Sequence, residues 1–270
     1  MKIDLSGHTA LVTGGNRGLG EAMALALAAS GASVALVARD VALLQKVKAA
    51  IVEAGGRAEF FTADVTNEQD VAAVGKAVKE KLGPVDILIN NAGTNLRKNL
   101  EDFSLAEFRG VIDSSLISTF LMSRAVLSHM RGRGYGRILN IASIMSHVSL
   151  PMRTAYSSAK SALLGFTRAL AQEVATEGIT VNAICPGPFD TDMNAAIINN
   201  PEANRQFLTS LPIGRWGRLE ELGALTCYLC SDAAGFITGT DILIDGGWCA
   251  QHCSLDTDCP VQCRIGSLLW

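Results

Sequence analysis

In the run "TAYSSAKSALLG", residues 154–165, Tyr156 and Lys160 stand four positions apart in a stretch that reads as helix. Four residues are about one helical turn, so both side chains fall on one face. An ammonium group beside a phenol favours the phenolate and lowers the tyrosine pKa from its usual ~10. A tyrosine so placed exchanges a proton with an alcohol or a carbonyl near neutral pH. The same spacing also arises when one residue faces solvent and the other packs a core, so this pair needs company from the rest of the chain.

A second chemical signal lies close to the N-terminus. "TGGNRGLG", residues 13–20, follows a short apolar run and opens a helical one. Gly14, Gly18 and Gly20 allow a tight turn, close approach of backbone to a ligand, and close helix packing. Backbone N–H groups at the new helix start would hold a pyrophosphate. The contacts expected in this turn are Gly14, Asn16, Arg17, Gly18, Leu19 and Gly20. The second apolar run ends "VAR", residues 37–39, so Ala38 and Arg39 stand where an NAD-specific site would carry an acid for the ribose 2′-hydroxyl. Arg17 and Arg39 suit a 2′-phosphate, so NADP(H) is favoured; Asp40, directly after, keeps NAD(H) open.

The elements that must position these groups alternate along the chain. Strands are expected at 9–14, 33–38, 58–65, 85–93, 136–143, 179–187 and 241–247, and helices at 18–30, 40–54, 67–82, 104–131, 154–176 and 218–231. Near-continuous apolar strands alternating with helices predict an α/β fold: a seven-stranded parallel sheet covered on both faces, doubly wound in the Rossmann manner. Ligands in such sheets bind beyond the carboxyl ends of the strands. No linker divides residues 1–251, which are expected to form one domain. The irregular stretch 188–217 is long enough to be a lid or binding loop.

Bulk properties narrow the class. Of 270 residues, 49% are hydrophobic and 18% charged, enough apolar material for a sizeable core. The net charge of -3 and the lack of a basic run exclude nucleic acid or an anionic membrane as main partner. The uncharged run 22–38 falls short of the ~20 residues of a spanning helix, and "SGAS" interrupts it, so it reads as helix, turn and strand. "MKIDLSG" lacks the apolar core of a signal peptide, and a cytoplasmic protein is expected.

Taken together these pieces resemble the short-chain dehydrogenase/reductase family, from about residue 5 to 251. The motifs are "TGGNRGLG", "ADV" at 63–65, "NNAG" at 90–93, Ser143, "YSSAK" at 156–160 and "PGPFDT" at 186–191. The resemblance implies an NAD(P)-dependent oxidoreductase acting on an alcohol or a ketone. Tyr156 would be its general acid/base, and Lys160 would lower the tyrosine pKa and hold the nicotinamide ribose. Ser143 would orient the substrate oxygen. Asp64 and Val65 would flank the adenine; Asn91, Ala92 and Gly93 would line the cofactor cleft. Pro186, Gly187 and Thr191 would lie along the nicotinamide, with Thr191 on its carboxamide, and Asn182 would brace backbone. Where the family carries an asparagine in a proton relay, this chain reads "DSSLISTF", with Ser115 at that place. Serine is too short to span the same gap unaided.

The resemblance leaves the substrate open. Arg97, Lys98, His147 and Arg153 are cations in the expected rim loops, able to attract a carboxylate or phosphate. "SIMS", "TDMN", "NNPE", "GRWGR" and "DGGW" look most like sugar-acid dehydrogenases of the family, such as gluconate 5-dehydrogenase and 2-deoxygluconate 3-dehydrogenase. A polar hydroxy acid or ketone comes first, then an acyl-carrier thioester as in 3-oxoacyl-(acyl carrier protein) reductases. A non-catalytic nucleotide binder is a third reading, against which Ser143, Tyr156 and Lys160 argue. The resemblance further implies a homotetramer, or a homodimer.

Seven cysteines complete the inventory. Cys185, Cys227 and Cys230 lie in apolar segments and read as small buried hydrophobes. Cys249, Cys253, Cys259 and Cys263 crowd the C-terminal end, and residues 252–270 form an extension outside the family pattern. Their C-x3-C spacing is tolerable for zinc, but the short loop between the pairs is atypical, so no metal is assigned; an interface-packing or flexible extension is expected.

Overall fold

The computed structural model describes residues 3–191 and 194–250. Seven strands, β1 (Thr9–Thr13), β2 (Ser33–Ala38), β3 (Arg57–Thr62), β4 (Ile87–Asn90), β5 (Gly136–Ile141), β6 (Ile179–Pro186) and β7 (Asp241–Ile244), form one sheet. Its order is β3-β2-β1-β4-β5-β6-β7, with every neighbouring pair parallel. The order reverses between β1 and β4, and the crevice beyond their carboxyl ends is where a doubly wound sheet takes its ligand.

The helices between the strands are α1 (Gly18–Ala29), α2 (Val41–Glu53), α3 (Glu68–Leu82), α4 (Leu105–Ile112), α5 (Ser118–Met130), α6 (Thr154–Val174), α7 (Ala195–Ile198), α8 (Pro201–Thr209) and α9 (Leu219–Cys230). Strand alternation sorts the core into two layers. Val12, Leu36, Ile89 and Ile141 pack with Met23 and Leu27 of α1, Leu44 and Ile51 of α2, and Leu222 of α9. Leu11, Val37, Leu88 and Ile138 pack with Val74 of α3, Met122 and Val126 of α5, and Leu170 of α6. Each such fully buried aliphatic side chain contributes roughly 1.5–3 kcal/mol over leaving it in water.

Side chains set the helix starts. Asn67 Oδ1 accepts the N–H groups of Gln69 and Asp70 ahead of α3, at 2.9 and 3.1 Å. Ser104 and Glu107 exchange a capping box at α4. The sequence predicts one helix over 104–131; the structure breaks it. Asp113–Ile117 forms a π turn between α4 and α5, with the Ser118 N–H on the carbonyl of Asp113. The cause is local: Ser118 Oγ and Thr119 Oγ1 donate to the carbonyls of Ser114 and Ser115, both at 2.7 Å, and compete with the ordinary helical ladder.

By length and composition the run Leu105–Met130 is apolar enough to cross a membrane, yet 44% of its most apolar window is buried within the fold. Its residues Leu121, Met122 and Val126 belong to the core, so it packs as a core helix. The run 22–38 divides into α1 and β2, as its composition predicts. Residues 188–217 hold α7 and α8, with Phe207 stacked on Trp216 at 4.5 Å and tilted against Trp248 at 5.6 Å. Cys185, Cys227 and Cys230 are buried free thiols. The C-terminal extension lies outside the described residues.

Candidate active site

The glycine turn is held by its neighbours on β4. Thr13 Oγ1 accepts the N–H groups of Asn91 and Ala92, at 2.9 and 3.1 Å. The Asn91 amide donates to the carbonyls of Thr13 and Gly14, at 3.0 and 3.2 Å. The Asn91 side chain thereby braces the turn, because the carbonyls of a tight turn need donors. Thr13 opens the quoted glycine motif, but the sequence alone assigns it no role. At Gly20 a Cβ would stand 2.1 Å from the carbonyl oxygen of Gly14, so only glycine lets α1 start against the turn. Gly18, at φ +56°, faces open space. Arg17 sits at the N-terminus of α1 without a side-chain cap bond, while Asn16 and Leu19 flank the turn half-buried. The first-turn N–H groups are thus uncapped by any side chain, as a pyrophosphate site requires.

At the end of β2, Asp40 is already engaged. Its Oδ1 accepts the Leu43 N–H at 3.0 Å and caps α2. Arg39 extends from the same corner, its side chain 75% exposed and 3.8 Å from Asp64 Oδ2 at the end of β3. Two bonds from Thr66 hold the Asp64 carboxyl below its ordinary range. Val65 is half-buried beside it, against the core.

The candidate proton-transfer groups gather between β5 and α6. Ser143 follows β5, is buried, and accepts the Met145 N–H on its Oγ at 3.1 Å. Lys160 is buried, with Nζ donating to the Ile141 carbonyl at 2.6 Å and lying 5.8 Å from the Tyr156 ring centre. Tyr156 and Lys160 share a helix face, as their spacing predicts. The expected direction of the tyrosine shift is overturned. Burial pushes the Tyr156 phenol above its ordinary value; a hydrogen bond with Ser143 and the charge of Arg153 oppose this only in part. Burial likewise drives Lys160 down to about 8. Loss of water outweighs the ammonium, whose proton is turned toward Ile141.

Ser115 lies in the π turn, 1% exposed, and its Oγ has no hydrogen-bond partner among the described residues. A Cβ added at Gly93 would meet Ser115 Oγ at 3.1 Å and Lys160 Nζ at 3.6 Å. The fold therefore brings Gly93, Ser115 and Lys160 to one spot. An orphaned buried hydroxyl there fits a proton path or a polar ligand atom. Beyond β6, Pro186 closes the strand, the Gly187 N–H bonds Ile244 at 2.9 Å, and the Thr191 carbonyl accepts the Asn194 N–H at 2.8 Å. Asn182 braces backbone, donating to Ile237 at 2.7 Å.

A buried network beneath the site was also missed by motif reading. Asn90 Nδ2 donates to Asn140 Oδ1 at 2.9 Å and to Ser123 Oγ at 3.1 Å. Asn140 Nδ2 donates to Thr167 Oγ1 at 2.9 Å. Together they join β4, β5, α5 and α6, the elements that carry or adjoin the candidate proton-transfer groups. Polar residues at core positions of apolar strands are the signal that would have revealed them.

Four cations were expected at the rim, and the structure pairs two. Lys98 Nζ meets Glu107 Oε1 at 2.5 Å, and His147 Nε2 meets Asp241 Oδ2 at 2.8 Å. Arg97 and Arg153 have no carboxylate partner among the described residues. The Arg153 guanidinium lies 6.0 Å from the Tyr156 ring centre, and its pKa is lowered first by burial, then by Arg97.

A doubly wound sheet with an uncapped glycine turn and a buried Ser/Tyr/Lys cluster defines a dinucleotide-dependent oxidoreductase. Residues 14–249 match the family model described as enoyl-(acyl carrier protein) reductase, and the chain belongs to the short-chain dehydrogenase/reductase family. It is 35% identical to gluconate 5-dehydrogenase of Gluconobacter oxydans, over 90% of this chain and 95% of the relative. It is 37% identical to the 3-oxoacyl-[acyl-carrier-protein] reductase of Pseudomonas aeruginosa, over 91% of this chain and 98% of the relative. It is 42% identical to acetoacetyl-CoA reductase of Rhizobium meliloti, over 89% of this chain and 98% of the relative. The solved gluconate 5-dehydrogenase of Burkholderia cenocepacia, in complex with NADP and tartrate, superposes with a TM-score of 0.87. That match has 30% identity and covers 93% of this chain and 98% of the other.

Proposed function

We propose that this oxidoreductase prefers NADP(H) and interconverts a secondary alcohol and a ketone on a polar hydroxy or sugar acid. The observation that carries the substrate class is Arg153, whose guanidinium lies 6.0 Å from the Tyr156 ring centre with no carboxylate partner among the described residues. The charge of Arg97 opposes that of Arg153, and a substrate carboxylate would relieve that repulsion with charge-assisted hydrogen bonds. The tartrate held with NADP by the Burkholderia enzyme is itself a hydroxy acid with two carboxylates.

The chain's own groups divide the work. The N-terminus of α1 and the turn at Gly14–Gly20 hold the pyrophosphate, Arg17 and Arg39 the 2′-phosphate, and Asp64 and Val65 the adenine edge. Ala92, Gly93, Pro186, Gly187 and Thr191 line the nicotinamide end. The dinucleotide, when bound, supplies the hydride donor or acceptor. Ser143 holds the substrate oxygen, Tyr156 gives it a proton or takes one, and Lys160 with Ser115 stands behind the phenol as the next proton station.

The relatives that reduce acyl thioesters support a second reading, an acyl-carrier or acyl-CoA reductase, favoured by the exposed Val148, Leu150 and Met152 of the rim loop. Steady-state rates on gluconate-type acids and on acetoacetyl thioesters, with NADPH and NADH, separate the two. Tyr156→Phe is expected to lower kcat by at least about 100-fold while NADPH binding holds. Parent-like turnover by that variant sinks the proton-transfer role. Thioester rates exceeding those on hydroxy acids would move the substrate to the second reading. Binding of NADPH without turnover of any substrate in the panel would leave a nucleotide binder.

A further inference from the structure

His147, Cys185 and Asp241 come from three segments: the loop after β5, the end of β6 and the start of β7. The proposed reaction uses none of them. Their donor atoms nevertheless converge. His147 Nε2 lies 2.8 Å from Asp241 Oδ2 and 3.8 Å from Cys185 Sγ, and all three ligand atoms lie within 4.8 Å of one another. A cysteine nucleophile with a histidine base does not fit this geometry. A relay needs one partner on each ring nitrogen, and here thiol and carboxylate face the same one.

We propose that His147, Cys185 and Asp241 form a binding site for one divalent transition metal ion, with Zn²⁺ the best fit. A mixed nitrogen, sulfur and oxygen donor set suits zinc, and three protein ligands leave a fourth position for water. Ordinary zinc bond lengths in tetrahedral geometry put the ligand atoms roughly 3.4–3.6 Å apart. The His147–Asp241 pair must therefore open by about half an ångström, and Cys185 must approach by a few tenths. The histidine and aspartate side chains, 33% and 26% exposed, have room to move. Cys185 is fully buried on β6 and fixes the third corner.

The chemistry balances without a redox step. A cysteine with no metal on its sulfur is ordinarily a thiol at neutral pH, so the free site carries its proton. Metal binding forms the metal–sulfur bond and releases that proton to water, while His147 binds through neutral Nε2. A bound ion would tie the rim loop that follows Ser143 to the outer strands β6 and β7, clamping one wall of the substrate pocket.

Co²⁺ titration of the metal-stripped full chain tests this. To silence other thiols, Cys249, Cys253, Cys259 and Cys263 are replaced by serine and His252 by glutamine. One equivalent of Co²⁺ is expected to give a thiolate-to-cobalt charge-transfer band and the strong visible absorption of four-coordinate cobalt, both displaced by Zn²⁺. Cys185→Ser should remove the charge-transfer band, and His147→Gln and Asp241→Asn should each weaken Co²⁺ binding at least tenfold. A missing band, or one that survives Cys185→Ser, overturns the proposal. Should the cysteine variant fold poorly by circular dichroism, unchanged Co²⁺ affinity in both surface variants overturns it equally.

Discussion

Lys160 Nζ donates a 2.6 Å hydrogen bond to the carbonyl oxygen of Ile141, the last residue of β5. That bond ties the Tyr156 face of α6 to the strand end from which Ser143 emerges, and it keeps an ammonium group out of water. Burial lowers Lys160 from its ordinary 10.5 to about 8. Between these values the unfolded chain holds a proton that the folded protein lacks, so this group makes stability rise with pH from about 8 to 10.5. Below that window both states are protonated and the cost of burying the charge is constant. Lys160→Met carries no such proton. Denaturant midpoints measured across the window should show the parent gaining on the variant as pH rises; a constant difference would mean that Lys160 is not a buried ammonium.

Ser115 stands where the family resemblance leads one to expect asparagine, and its hydroxyl is without a partner among the described residues. Ser115→Asn should give activity equal to or above the parent, since the longer amide spans the gap toward Lys160. Single-turnover rates decide it. A slower chemical step in a normally folded variant would show that serine has its own role.

Arg39 stands exposed at the corner where Asp40 is committed to capping α2. Arg39→Ala removes one charged contact to a 2′-phosphate, so the KM for NADPH should rise on the order of tenfold. The KM for NADH should barely change. Equal effects on both cofactors would place Arg39 elsewhere in the cleft.

Asn140 both receives and donates within the buried network, from Asn90 and to Thr167. Asn140→Ala strands a donor on one side and a hydroxyl on the other, costing about 1–3 kcal/mol in urea unfolding. Asn140→Asp keeps the acceptor toward Asn90 and is expected to recover part of that loss near pH 4, where the carboxyl can be protonated. An alanine variant as stable as the parent would show that the network does not hold these elements together.

Much of the architecture was legible in one dimension because it rests on local periodicity. Apolar β-branched runs such as "SVALVA" have one stable use in a soluble α/β chain, a strand buried on both faces, and "TGGNRGLG" can only end a strand and start a helix. The break at Asp113–Ile117 was not legible. Periodicity there is continuous, and the serine and threonine hydroxyls bond backbone carbonyls in a way that their identity alone does not reveal.

Sequence alone determined which residues form the sheet, where the glycine turn falls, and that Tyr156 and Lys160 share a helical face. Tertiary structure alone decided what those side chains meet. It turned Asp40 and the Asn91 side chain to bracing, paired Lys98 and His147, and left Arg97 and Arg153 without a carboxylate partner among the described residues. It also reversed the expected shift of Tyr156. The physical reason is that spacing is a property of the chain, whereas desolvation and charge pairing depend on groups far apart in sequence.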